Sequence, residues 1–124
     1  MKKILLIEDE EIIIKLLGKK LSGIGYEVDL AMDGQEGINK MKESAPDLVL
    51  LDIVMPRKGG FEVMAEMKKD SALAKIPVII ISNSGQPLEL EKAKKFGAVD
   101  WLVKTEFDPK EVVEKIREHL NPAD

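Results

Sequence analysis

The sequence predicts an α/β fold, a three-layer (βα)5 sandwich built around one parallel five-stranded sheet. Three observations carry this. Short apolar runs alternate with longer amphipathic ones five times along the chain. Three of those runs are nearly solid Leu, Ile and Val, as strands covered on both faces are. Helix-starting signals stand at the expected places between the runs, at Asp33, Pro87 and Asp108.

Taken in order, the first strand is read over residues 4–7, and Ile13, Leu16, Leu17, Leu21 and Ile24 share a face in the helix that follows. Residues 27–31 alternate, as an edge strand does. Asp33-Gly34-Gln35-Glu36 reads as a capping box opening a helix whose inner face carries Ile38, Met41 and Lys42. The third strand spans residues 48–51, and Phe61, Met64, Ala65 and Lys68 mark the third helix. Residues 78–81 make the fourth strand, and Pro87 near N1 leads into a helix with Leu90, Ala93, Phe96 and Gly97. The fifth strand is read over residues 99–103. Asp108-Pro109-Lys110-Glu111 then places an acid at the N-cap, proline at N1 and glutamate at N3, ahead of a buried face of Val112, Val113, Ile116 and Leu120. Parallel strands need right-handed crossovers, and the commonest five-strand solution is the flavodoxin-like order 2-1-3-4-5.

Composition narrows the functional class. The 124 residues suit one domain, expected to run from 1 to 124 without an output domain. There is no cysteine, so neither a disulfide framework nor a thiolate metal site is possible. A net charge of −4 argues against non-specific binding of nucleic acid or anionic membrane. No apolar run approaches the ~18 residues of a membrane span, and the N-terminus does not read as a signal peptide. A cytoplasmic setting is expected.

In open α/β sheets, ligands bind outside the carboxyl ends of the strands at the switch point. Strand 1 ends in Glu8-Asp9-Glu10, strand 3 in Asp52, strand 4 in Ser82-Asn83-Ser84 and strand 5 at Lys104. Asp9 and Asp52 would be near neighbours, and like charges that close repel strongly in a partly dry site. A divalent cation removes the conflict, and an all-oxygen ligand set without His or Cys points to Mg²⁺ rather than zinc. The backbone carbonyl of Val54 could add a ligand. Lys104 can pair with Asp52 or with an anion bound there, and Ser82 offers a hydroxyl. This is equipment for phosphoryl transfer to an aspartate. Singly, each residue has a plainer role: Asp52 as a turn-former, Asp9 as a helix cap, Glu8 and Glu10 as solvated acids, Lys104 as a surface charge. Those roles do not predict convergence on one sheet edge.

The motifs "ILLIEDEE", "PDLVLLDIVMP", "GGFE", "IPVIIIS" and "AKKFGAVDWLVK", in this order and spacing, resemble the receiver domains of two-component response regulators, of the single-domain chemotaxis (CheY-like) type. The resemblance covers essentially the whole chain. It implies that Asp52 accepts a phosphoryl group from a histidine kinase, a phosphotransfer protein or a small phosphodonor. It also implies that Glu8, Asp9, Asp52 and the Val54 carbonyl hold Mg²⁺, Glu8 through water. Lys104 would pair with the phosphoryl group, Ser82 and Trp101 would be the switch residues, and Asn83 would flank the site. A downstream protein would bind the face made by the fourth helix, fifth strand and fifth helix. The chain would be a signalling protein rather than an enzyme, without direct nucleic-acid contact, monomeric or weakly dimeric when phosphorylated.

Several positions depart from the family pattern. Glu8 replaces a commoner aspartate, Asn83 a smaller residue, and Trp101 a Tyr or Phe. Arg57-Lys58-Gly59-Gly60 stands where a Met-Asp-Gly sequence is frequent, and Thr105 where proline usually follows the lysine. The alternative reading is a pseudo-receiver, an interaction module not regulated by phosphorylation. A dehalogenase-type phosphatase would want a second acid at position 54, and a cofactor-binding relative of the fold a hydroxyl-rich loop after strand 1. Outside the site, His119 is expected to complement a helix C-terminus, Lys92, Lys94 and Lys95 to form a solvated face, and Met41, Met64 and Met67 to fill the core.

Overall fold

The computed structural model describes residues 2–55, 57–83, 86–104 and 108–120. In chain order its elements are β1 (Lys3–Ile7), α1 (Glu11–Gly23), β2 (Glu27–Ala31), α2 (Gly34–Glu43), β3 (Leu48–Asp52), α3 (Gly60–Lys68), a 3-10 turn (Leu73–Lys75), β4 (Val78–Ser82), α4 (Pro87–Lys95), β5 (Asp100–Val103) and α5 (Pro109–Leu120). The strands form one parallel sheet in the order β2-β1-β3-β4-β5.

Side-chain alternation along the strands divides the core in two. Leu48 and Leu50 of β3 join Leu17 and Leu21 of α1 and Val112 and Ile116 of α5 on one face. Val49 and Leu51 join Ile38 and Met41 of α2 and Val63, Met64 and Met67 of α3 on the other. All five residues of β3 are buried. Each of its apolar side chains contributes about 1.5–3 kcal/mol of transfer free energy. That burial holds the strand, and with it Asp52, against movement. The edge strands β2 and β5 are only partly buried.

The helix starts are those the capping residues predict. Asp33 accepts from the Glu36 N–H at 2.9 Å and Asp108 from the Glu111 N–H at 2.9 Å, and Pro87 opens α4. The return arm of the first box differs, since the Glu36 carboxylate takes the N–H of Met32 instead of Asp33. Asp9 does not cap α1; Glu10 is its N-cap residue, without a side-chain bond.

Several facing residues fall elsewhere than the periodicity suggests. In α1 the buried stripe is Ile13, Leu17 and Leu21, while Leu16 is 43% exposed and Ile24 lies beyond the helix as its C-cap. In α3 the stripe is Gly60, Val63, Met64 and Met67, with Lys68 exposed. Phe61 lies to its side, packed on Phe96 at 5.9 Å between ring centroids and lying under the Lys92 ammonium at 4.5 Å. Lys92 is therefore not merely solvated. Lys42 points to solvent, and Val99 precedes β5 rather than opening it.

Gly60 has a steric reason to be glycine. A Cβ there would stand 2.5 Å from the Asp52 carbonyl oxygen and 2.9 Å from Ile53 Cα, both rigid backbone. Gly18, midway along α1, has nothing within 4 Å of such an atom. Gly60→Ala is expected to destabilise the fold by about 1–3 kcal/mol through overpacking. Gly18→Ala should instead stabilise it by ~0.5–1 kcal/mol through helix propensity. Urea unfolding midpoints of the two variants would check this, and equal shifts would refute it.

Candidate functional site

The register that ends the central strands together also assembles a charged cluster. Ile7 pairs with Leu51, so Glu8, one step on, stands beside Asp52. Asp52 pairs with Ile81, and Ser82 with Val103. The Lys104 N–H donates to the Ser82 carbonyl at 2.7 Å, carrying the end of β5 to the same edge.

Lys104 is the centre of this cluster. Its ammonium donates to Glu8 Oε2 at 3.0 Å, Glu10 Oε1 at 2.9 Å and Asp52 Oδ2 at 3.0 Å. Its side chain is 3% exposed, those of Glu8 and Asp52 0% and 6%. The plainer role of Lys104 as a surface charge is excluded by that burial, and so is solvation of Glu8. Glu10 is exposed, and its contact with the lysine is one the sequence reading did not foresee. Glu8 Oε2 also accepts the N–H groups of Asp9 at 3.1 Å and Glu10 at 2.9 Å. Its Oε1 lies 2.9 Å from the ammonium but is buried without a hydrogen bond.

Burial is the largest influence on both buried acids. It lifts Glu8 from 4.5 to about 7, against the hydrogen bond from Lys104. Burial also raises Asp52, again opposed by the hydrogen bond and charge of Lys104. For Lys104, burial pulls the other way, but hydrogen bonds to Glu8, Glu10 and Asp52 outweigh it and hold the ammonium above its ordinary value.

The carboxylates fit a cation. Glu8, Asp9 and Asp52 each offer an oxygen, all within 4.8 Å of one another, and Asp9 is exposed to entry from solvent. Three acids bond the one ammonium, Asp9 lies beside two of them, and the buried Glu8 Oε1 still lacks a hydrogen bond. All-oxygen donors of this kind suit a hard divalent ion such as Mg²⁺. The Val54 N–H donates to Asp52 Oδ1 at 3.4 Å, while the residue as a whole is 79% exposed.

Ser82 is buried at the end of β4, and Asn83 is exposed at the rim. Trp101 pairs with Ile80, is half-buried, and borders a cavity of about 170 Å³ together with Leu90 and Ala93 of α4. Ser84 and Thr105 lie outside the described residues. His119 lies in the last turn of α5, as expected, and its ring is also 3.2 Å from Asp100, which takes Lys115 at 3.0 Å.

The loop after β3 holds a second unforeseen contact. Arg57 adopts φ 64°, the left-handed region that costs a non-glycine residue roughly 1–2 kcal/mol. Its Nε donates to Asp33 Oδ2 at 3.0 Å, and Nη2 reaches the same oxygen. Bonds from the Glu36 N–H and from Arg57 hold the Asp33 carboxyl below its usual range. The sequence marked the loop as unusual but gave no sign that Asp33 was its partner.

The raised Glu8 has a consequence for stability without metal. Unfolded, it ionises near 4.5; folded, it keeps its proton to about 7. Between those values the unfolded chain binds fewer protons, so folding free energy falls as pH rises. The interval bounds the loss at roughly 3 kcal/mol. Asp52 acts in the same direction, and Lys104 contributes no slope there because both its states are protonated. In chelator, unfolding between pH 4.5 and 7 should show this decline, flattened in Glu8→Gln. A wild-type profile that is level or rising would contradict it.

Comparison with known proteins agrees on what the chain resembles. The family model described as "Response regulator receiver domain" matches residues 4–117. A probable transcriptional regulator ycf27 of Guillardia theta is 40% identical over 115 residues, 93% of this chain and 44% of that protein. The chain thus spans about half the length of the curated relatives it matches. Among solved structures, the phosphorylated cyanobacterial phytochrome response regulator RcpA superposes with TM-score 0.86 at 31% identity, covering 99% of this chain and 96% of that one. The Mn²⁺-bound form of response regulator Rcp1 gives TM-score 0.86 at 26% identity, covering 100% and 98%. Among the described residues, no helix is long and apolar enough to cross a membrane.

Proposed function

The chain belongs to the response regulator receiver domain family of two-component signalling, and we propose that it works as a phospho-accepting switch with Asp52 as acceptor. The observation that carries this reading is the buried Asp52 carboxylate bonded to Lys104 inside an excess of acids at the carboxyl edge of the sheet. The existence of a phosphorylated relative and of a metal-bound one supports it.

In the proposed step, an Asp52 carboxylate oxygen attacks phosphorus. The P–N bond of a phosphohistidine, or the P–O bond of a small phosphodonor, breaks as the new P–O bond to Asp52 forms. The leaving imidazole or oxyanion departs with the bonding pair. Burial on β3 fixes the nucleophile, so little motion is needed to align it. Lys104, already 3.0 Å from Oδ2, meets the negative charge that the phosphoryl oxygens bring. Mg²⁺ held by Asp9, Asp52 and the Val54 carbonyl, with Glu8 through water, would neutralise and orient the transferring group. Ser82 would turn its hydroxyl to the phosphoryl group, Trp101 would move into the space beside α4, and Asn83 would limit access for hydrolysis.

The donor would be a histidine kinase or a phosphotransfer protein. The face of α4, β5 and α5 would engage a downstream protein. The chain would be one receiver unit whose chemistry serves signalling in the cytoplasm rather than turnover of a metabolite.

Trp101, the sole tryptophan, makes this measurable. Its fluorescence should respond to Mg²⁺ and then to acetyl phosphate or beryllofluoride, with acid-labile phosphate on the protein after acetyl phosphate. Asp52→Asn should abolish phosphate incorporation, and Lys104→Ala should lower it at least tenfold. Wild type that takes up no phosphate in Mg²⁺, or Asp52→Asn that behaves like wild type, would sink the proposal.

A further inference from the structure

The β3–α3 loop is held to α2 by side chains that the phosphotransfer chemistry does not use. At its base, the Gly60 N–H donates to the Ile53 carbonyl at 2.8 Å, joining the two ends of the loop. At its tip, Arg57 places two guanidinium nitrogens on Asp33 Oδ2. Asp33 is itself fixed, because its other oxygen caps α2 through the Glu36 N–H and the residue is only 7% exposed. Between the two, the Lys58 carbonyl oxygen lies so close to Gly34 that any Cβ there would collide with it. One carboxylate thus ties the start of α2 to a loop whose arginine is in the left-handed region.

Val54 lies inside this clamp, its N–H on Asp52 Oδ1. We propose that Asp33 and Arg57 are positioning residues for the divalent-cation site, acting through the loop that carries the Val54 carbonyl. The inference rests on the reading of that site given above. A hard cation needs its oxygens placed to within about half an ångström. A loop that must be ordered at the moment of binding weakens affinity, and one already clamped does not. Arg57 makes the clamp from the solvent side, being 67% exposed, while Asp33 supplies a nearly buried anchor. Bidentate pairing is a property of arginine, so lysine should replace it only in part.

The test uses Mg²⁺ and Mn²⁺ titrations of Trp101 fluorescence and amide exchange in chelator. The proteins are wild type, Arg57→Ala, Arg57→Lys, Asp33→Asn and the Arg57→Ala/Asp33→Asn double variant. Asp33→Asn keeps a capping oxygen for α2. Both single alanine and asparagine variants should bind metal three- to tenfold more weakly and exchange the amides of residues 53–55 and 57–59 faster, with the strand amides unchanged. The double variant should be no weaker than either, and Arg57→Lys should lie between wild type and Arg57→Ala. Equal affinity in wild type and both single variants would overturn the clamp alone. So would a loss accompanied by faster exchange throughout the sheet, which is general loosening. Wild type that binds neither ion would overturn the metal reading itself, and the clamp with it.

Discussion

The contact on which the rest depends is the Lys104 ammonium among the carboxylates of Glu8, Glu10 and Asp52. It joins the ends of β1, β3 and β5 across the sheet, and two of its three acids are almost entirely withdrawn from water. Removing either side of such a group leaves an uncompensated buried charge, which is far costlier than the net worth of the pair. The cluster is therefore a constraint more than a source of stability. The apolar strands supply the stability, and the cluster fixes which charge must lie at their ends.

That division explains why Asp52 sits where it does. A carboxylate on a loop would be solvated and mobile. Asp52, as the last residue of a strand covered on both faces, is stationary and poorly solvated, yet still meets the open edge of the sheet. The same burial raises its affinity for a proton. One lysine does not offset the ionised acids gathered at this edge, so the site has a standing preference for a further positive charge. A cation would satisfy that preference, and Asp9, which faces solvent, leaves it a way in.

The strands, their order and the residues at their ends were legible because burial imposes a pattern on consecutive residues. Leu48 to Leu51 is a solid apolar run bounded by turn residues, the mark of a doubly covered strand, and Asp52 follows it directly. The helix faces are less exactly legible. In α3 the large Phe61 suggests an inner face, but its ring belongs to a neighbouring contact with Phe96 and Lys92. Glu8 and Lys104 were legible as site residues but not as partners. Nothing local distinguishes a buried ion pair between residues 8 and 104 from two solvated charges. The Asp33–Arg57 contact was hidden for the same reason, and Asp33 had already been accounted for as a cap.

Asp33 shows how a residue with one sufficient local explanation can have a second role. Its cap on α2 needs only one oxygen, and Asn or Ser would serve there nearly as well. A carboxylate provides a second, charged oxygen, and Arg57 is bonded to it in a backbone conformation that arginine would not choose unaided. Strain of that kind persists only where the surroundings impose it. Here the surroundings are the glycine close approach at Gly34 on one side and the ion pair on the other. The loop beside Asp52 is thus set by two opposed requirements, a disfavoured dihedral and a charge pair that compensates it. Relaxing either one is expected to alter the loop beside Asp52 while leaving the sheet intact.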